Sequence, residues 1–142
     1  MFSKIVVPVD PAEPKFSKPS IDSAVGFAKQ YDSKIWMVCV LQVLPGLVAE
    51  YLPPDYEKTA AANAARKLEE MVAEYGLPEG TIKVLVRNGG VYHEVLDAVD
   101  EVGADLIIMN SHRPGMSTYL LGSNAAKIVR HANCSVLVIR DD

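Results

Sequence analysis

Cysteine is nearly absent: Cys39 and Cys134 are the two in 142 residues. Both stand inside apolar runs and form no CxxC pair. That argues against a disulfide framework or a thiolate metal site, and for two small core residues in a reducing compartment. Histidine is as scarce. His93, His112 and His131 are scattered without ligand spacing, so no metal site is expected. A membrane-length hydrophobic run is also missing. The longest apolar stretch, Ile35–Leu44, reaches about half the length that spans a bilayer, so the chain is not expected to be membrane-inserted. The chain opens Met-Phe-Ser-Lys and enters an apolar run at once, without a signal-peptide pattern, which makes the cytoplasm the expected location. Positive charge is not in excess either. Lys and Arg number 14 against 18 Asp and Glu, a net charge of −4, which speaks against a nucleic-acid partner.

What is present fits a soluble globular protein: 49% apolar and 23% charged residues, with no internal repeat or low-complexity tract. A chain of this length is the size of one domain, expected to span residues 1–142. Lys4–Asp10 (KIVVPVD) is β-branched and apolar and reads as a buried strand. Ser17 is placed to cap a helix, with Pro19 in its first turn and Ile21, Ala24, Val25 and Ala28 at helical spacing. Lys34–Val43 reads as a second strand, too apolar to face water on either side. Leu44–Pro54 reads as an irregular loop. Asp55–Tyr75 follows as a long helix, striped by Ala61, Ala65, Leu68, Val72 and Tyr75 and stopped by Gly76 and Pro78. Thr81–Arg87 is a third strand. Asn88-Gly89-Gly90 turns into a helix that buries Val91, Val95, Leu96 and Val99 and ends near Gly103. Asp105–Asn110 is a fourth strand, Ser123–Ala132 a short helix, and Ser135–Arg140 a fifth strand. This strict alternation, with all-apolar strands, predicts an α/β fold: an open five-stranded parallel sheet with helices on both faces.

In such a sheet ligands bind beyond the carboxyl ends of the strands, where strand order reverses. The residues that follow each strand are therefore the candidates: Asp10, Gln42 to Leu44, Asn88-Gly89-Gly90, and Asn110 onward. After Asn110 the segment SHRPGMSTYLLGSNAAKIV runs through a polar loop to Gly122-Ser123-Asn124 at the expected start of a helix. Unpaired amides at such a start, aided by the helix dipole, suit an anion. Several alternatives fail on the residues. A P-loop needs GxxxxGK[ST], which is absent. A dinucleotide site needs GxGxxG after the first strand, where this chain has DPAEP. A phospho-acceptor receiver needs a carboxylate after strand three and a lysine after strand five, where this chain has Arg87-Asn88-Gly89 and Arg140. Ser111 and His112, as neighbours on one strand end, point apart, and no GxSxG elbow accompanies them.

Three stretches carry a family resemblance: KIVVPVD at the start, NGGVYHEVLDAVDEVGADLIIMNSHRP in the second half, and LLGSNAAKIVRHANCSVLVIR at the end. With them the chain resembles the universal stress protein family over essentially its whole length, and within it the nucleotide-binding F and G types of bacteria. The resemblance implies strand order 3-2-1-4-5, with the reversal between strands one and four, and ATP held there, with Mg2+. It implies that Asp10, with Pro8 and Val9 before it, lies near the adenine and ribose, and that the backbone around Val40 borders the adenine. Met109 and Asn110 would lie under the ribose and phosphates, and Gly122, Ser123 and Asn124 would cradle the phosphates. The family's motif, Gly, two residues, Gly, nine residues, Gly-Ser or Gly-Thr, is not met in full. Asn110 and Arg113 stand at the first two glycine positions, and eight residues separate Arg113 from Gly122. Ser111, His112 and Arg113 belong to the SHRP variant that the F and G types share. In it Arg113 would offer a charged fork to a phosphate and Gly115 would restore the turn.

The resemblance further implies a regulatory role in stress response rather than an enzyme, with at most slow ATP hydrolysis or autophosphorylation. Nucleotide occupancy would set conformation or assembly and thereby the binding of a partner protein, a membrane transporter among the candidates. A nucleotide-independent interaction module of the same fold is the alternative. The family also pairs its fifth strand across a two-fold axis. A homodimer through Ser135–Arg140, able to double to a tetramer, is therefore expected.

Overall fold

The computed structural model describes residues 2–41, 46–111 and 123–140. In chain order the elements are β1 (Lys4–Pro8), α1 (Pro14–Tyr31), β2 (Lys34–Leu41), α2 (Gly46–Ala49) and α3 (Tyr56–Ala73), then β3 (Ile82–Asn88), α4 (Val91–Val102), β4 (Leu106–Asn110), α5 (Ser123–His131) and β5 (Ser135–Ile139). The five strands form one sheet in the order β3-β2-β1-β4-β5, and every neighbouring pair is parallel. This is the expected order, with its reversal between β1 and β4. No helix among the described residues is long and apolar enough to cross a membrane.

Side chains alternate across a strand, and here the alternation sorts the core into two halves. Ile5, Val7, Ile35, Met37 and Cys39 face one side, where Ile21, Ala24 and Val25 of α1 and Ala64 and Leu68 of α3 cover them. Val6, Val38, Ile107 and Met109 face the other, under Val95, Ala98 and Val99 of α4 and Ala125 and Ile128 of α5. Burial on both faces is why the central strands carry apolar residues at every position instead of alternating with polar ones.

The elements depart from the sequence reading in instructive places. Helix α1 begins at Pro14, whose missing N–H costs nothing in the first turn, and not at Ser17. Ser17 lies inside the helix and is buried; its hydroxyl accepts the Asp10 N–H at 3.4 Å. Pro19 therefore sits in the helix interior, where it removes one i→i−4 hydrogen bond. Strand β1 ends at Pro8, about two residues early, although the Val9 N–H still donates to Val38 C=O at 2.8 Å; β2 is described to Leu41, and residues 42–43 of its expected span lie outside the described residues. One helical turn, α2, stands within the segment read as an irregular loop. On α3 the buried residues are Ala64 and Leu68. The expected stripe of Ala61, Ala65, Val72 and Tyr75 flanks them half-buried. Cys39 is a core residue as expected, whereas Cys134 is only half-buried.

Helix α4 ends as expected. Gly103 closes it at φ +72°, a left-handed conformation, and its N–H donates to Val99 C=O at 2.9 Å. Along α4, Glu94 at 3.1 Å and Glu101 at 2.5 Å pair with Arg87 of β3, which ties the edge strand to the helix.

Candidate functional site

A cleft of about 690 Å³ opens over the carboxyl ends of β1, β2 and β4, at the point where strand order reverses. Pro8, Val9, Asp10, Val40, Met109, Asn110, Ser111, Ser123 and Asn124 all line it. His112, Arg113, Gly115 and Gly122 lie outside the described residues, as do Gln42 to Leu44. Asn88, Gly89 and Gly90, the other candidates at a strand end, do not line the cleft.

Local chain geometry fixes the floor. Just past β1, the Asp10 carboxylate accepts the Ala12 N–H at 2.9 Å and its carbonyl accepts the Glu13 N–H at 3.1 Å. This Asx-type turn folds DPAEP back toward the start of α1. Asn110 ends β4 on the face that α1 covers, and the buried Ser20 hydroxyl of α1 hydrogen-bonds its side-chain oxygen. Ser111 is buried and its N–H donates to Ile139 C=O at 3.0 Å, so the β4–β5 ladder carries on into the cleft floor. Ser123 and Asn124 open α5, a nine-residue helix with no acidic residue in its first turn and Arg130 and His131 in its last. Its amino end therefore offers uncancelled positive dipole charge to the cleft.

The cleft has two walls, one from each side of the sheet. Val40, Met109, Ala125 and Ile128 belong to the α4/α5 side. Cys39 and Ala64 belong to the α1/α3 side, where Asn63 and Lys67, one turn apart on α3, also line the cleft. Burial pushes the Cys39 thiol up to about 11, and the negative charge of Asp10 adds to the shift. Asp10 thus acts on the α1/α3 wall. Among the described lining residues Asp10 is the one carboxylate and Lys67 the one cation. Sequence reasoning missed Asn63 and Lys67. Their signal was faint: both flank the buried Ala64 and Leu68 on α3 and are themselves exposed, so they read as solvent face.

The comparisons agree with this architecture. A sequence model of the Universal stress protein family matches residues 1–140. The chain is 36% identical over 146 aligned residues to Universal stress protein G of Escherichia coli O157:H7, an alignment covering 99% of this chain and 100% of the relative. Among solved structures it is similar to the universal stress protein UspA from Lactobacillus plantarum, with a TM-score of 0.75, 23% identity and 98% of each chain covered. It is also similar to a universal stress protein solved in complex with cAMP, with a TM-score of 0.62, 21% identity, and 99% and 98% of the two chains covered. Fold, sequence and extent of match agree: the chain belongs to the universal stress protein family.

Proposed function

We propose that this chain is an ATP-binding regulatory protein of the stress response, in which nucleotide occupancy sets conformation or assembly and so controls a partner protein. One observation carries the proposal. The cleft lies at the β1/β4 reversal and brings Asp10, the strand ends and the amino end of α5 around one space. Its volume of about 690 Å³ suits a small-molecule ligand. The structural relative bound to cAMP supports a nucleotide as that ligand.

In this reading the base and ribose lie between Asp10 and Val40, and the phosphates lie toward Ser123, whose backbone amide belongs to the positive end of the α5 dipole. Mg2+ would arrive with the triphosphate, held by phosphate oxygens and water. Among the described residues no group of three or more His, Cys, Asp or Glu is arranged to hold a metal alone. The role proposed is binding and not turnover. Assembly is proposed through β5, an edge strand of the sheet.

Acid extraction of the purified protein, followed by chromatography of the supernatant, tests the reading. Adenine nucleotide in near-stoichiometric amount supports it. An empty extract, together with no ATP binding to the same protein up to millimolar concentration, favours the nucleotide-independent interaction module.

A further inference from the structure

The α1/α3 wall of the cleft holds a cation that the reading above leaves without a task. Lys67 lines the cleft, and it also lines a second groove of about 630 Å³ that shares Pro11 with the first. Among the described residues the ion pairs belong to Lys18, held by Asp22 at 3.0 Å, and to Arg87; Lys67 is in none. The positive end of α5 faces the cleft from the α4/α5 side and Lys67 from the α1/α3 side, with Asp10 at the β1 end between them. The cleft therefore offers two separate places for negative charge.

A ribose has two opposite edges. The 5′ carbon carries the usual phosphates, and the 2′ and 3′ hydroxyls point the other way. In that reading, a nucleoside held at Asp10 with its 5′ phosphates at Ser123, on the α4/α5 side, would turn its hydroxyl edge toward the α1/α3 side, where Asn63 and Lys67 line the cleft. We propose that the cleft prefers adenosine nucleotides bearing a further phosphate on that hydroxyl edge, with Lys67 as its counter-charge; this rests on the nucleotide reading above. Asn63, one turn before Lys67 on α3, adds an amide donor on the same wall. The second groove gives a substituent on that edge room to extend past Pro11 toward Lys15. Glu70, about one turn beyond Lys67 on α3, and Glu74, just past the helix end, also line that groove.

Calorimetric titration of nucleotide-free wild-type protein and of Lys67→Met with AMP, adenosine 2′,5′-bisphosphate and adenosine 3′,5′-bisphosphate tests the proposal. The expected result is that at least one bisphosphate binds wild type about tenfold tighter than AMP, as a charge-assisted contact provides. Lys67→Met should lose that preference, its bisphosphate-to-AMP affinity ratio falling to about one, while its urea denaturation midpoint stays at the wild-type value, because the side chain is exposed. Lys67→Arg should keep the preference. Which bisphosphate gains identifies the hydroxyl. AMP binding as tightly as both bisphosphates, or a preference that survives Lys67→Met, overturns the inference and leaves the nucleotide site standing. If neither AMP nor ATP binds wild type, the nucleotide reading itself fails and this inference falls with it.

Discussion

Asp10 is pinned by its own turn before any ligand arrives, since its carboxylate already accepts the Ala12 N–H. A carboxylate has further lone pairs, and a ribose hydroxyl or adenine amine can use them. Asp10→Ala should therefore weaken ATP, ADP and AMP alike, by about tenfold to a hundredfold, the equivalent of about 1.5–3 kcal/mol for a hydrogen bond to a charged group. Calorimetry with the three nucleotides reads the effect, and unchanged affinities would reduce Asp10 to a turn-forming residue. Cys39 makes a second, independent prediction. Its thiol is pushed from 9.0 to about 11, chiefly by burial, so the fold favours the neutral form. That contribution is complete below pH 9 and is lost as pH climbs through about 11. Cys39→Ala should lower the melting temperature at neutral pH by opening a small cavity, yet melt with a shallower fall between pH 9 and 11 than wild type. Parallel curves over that window would contradict the assignment.

Among the elements, the strands and helices buried on both sides were the legible ones. Runs such as IVV in β1 and LIIM in β4 admit no water-facing side, and that alone implies a covered parallel sheet. Helix starts were less legible because several residues can cap. Ser17 has the right side chain, but Pro14 and the Asx-type turn at Asp10 begin the helix one turn earlier, and Ser17 spends its hydroxyl inward. Helix α2 left no signal: in four residues there is no periodicity to read, and Leu47 and Val48 are exposed. The cleft floor was legible because it consists of strand ends, whose place the topology dictates. The α3 wall was not, because nothing in a helix repeat separates a lysine that faces water from one that faces a cleft. Helix α4 supplies this scale's prediction. The left-handed φ of Gly103 carries its closing hydrogen bond, and an added Cβ would meet nothing nearer than Lys4 Nζ at 3.7 Å. Gly103→Ala should thus cost about 1–2 kcal/mol from backbone conformation alone. Urea denaturation measures it, and a cost near zero would mean that the turn relaxes to a right-handed cap.

At the scale of the whole molecule the two sheet edges differ. Edge strand β3 carries Lys83 and Arg87, and Arg87 is locked to α4. Such charges discourage pairing with another sheet. Edge strand β5 runs Val136 to Ile139 without a charge, and all four residues are half-buried. The two-fold homodimer we propose at β5 would cover those apolar side chains. Sedimentation should find dimers or tetramers at micromolar concentration, and Val138→Pro, which removes a ladder donor, should shift the population toward monomer. Wild type sedimenting as a monomer would contradict it.

The central claim is that the cleft at the strand reversal holds a nucleotide by its phosphates at the start of α5. Calorimetric titration of wild type and Ser123→Glu with ATP and with adenosine tests it most directly. A glutamate suits the positive end of α5 by about 0.3–1 kcal/mol, so the variant should fold at least as well as wild type. It would also put negative charge where the phosphates belong. The account predicts that Ser123→Glu loses ATP while binding adenosine almost as wild type does; equal ATP affinity in the two proteins would contradict it.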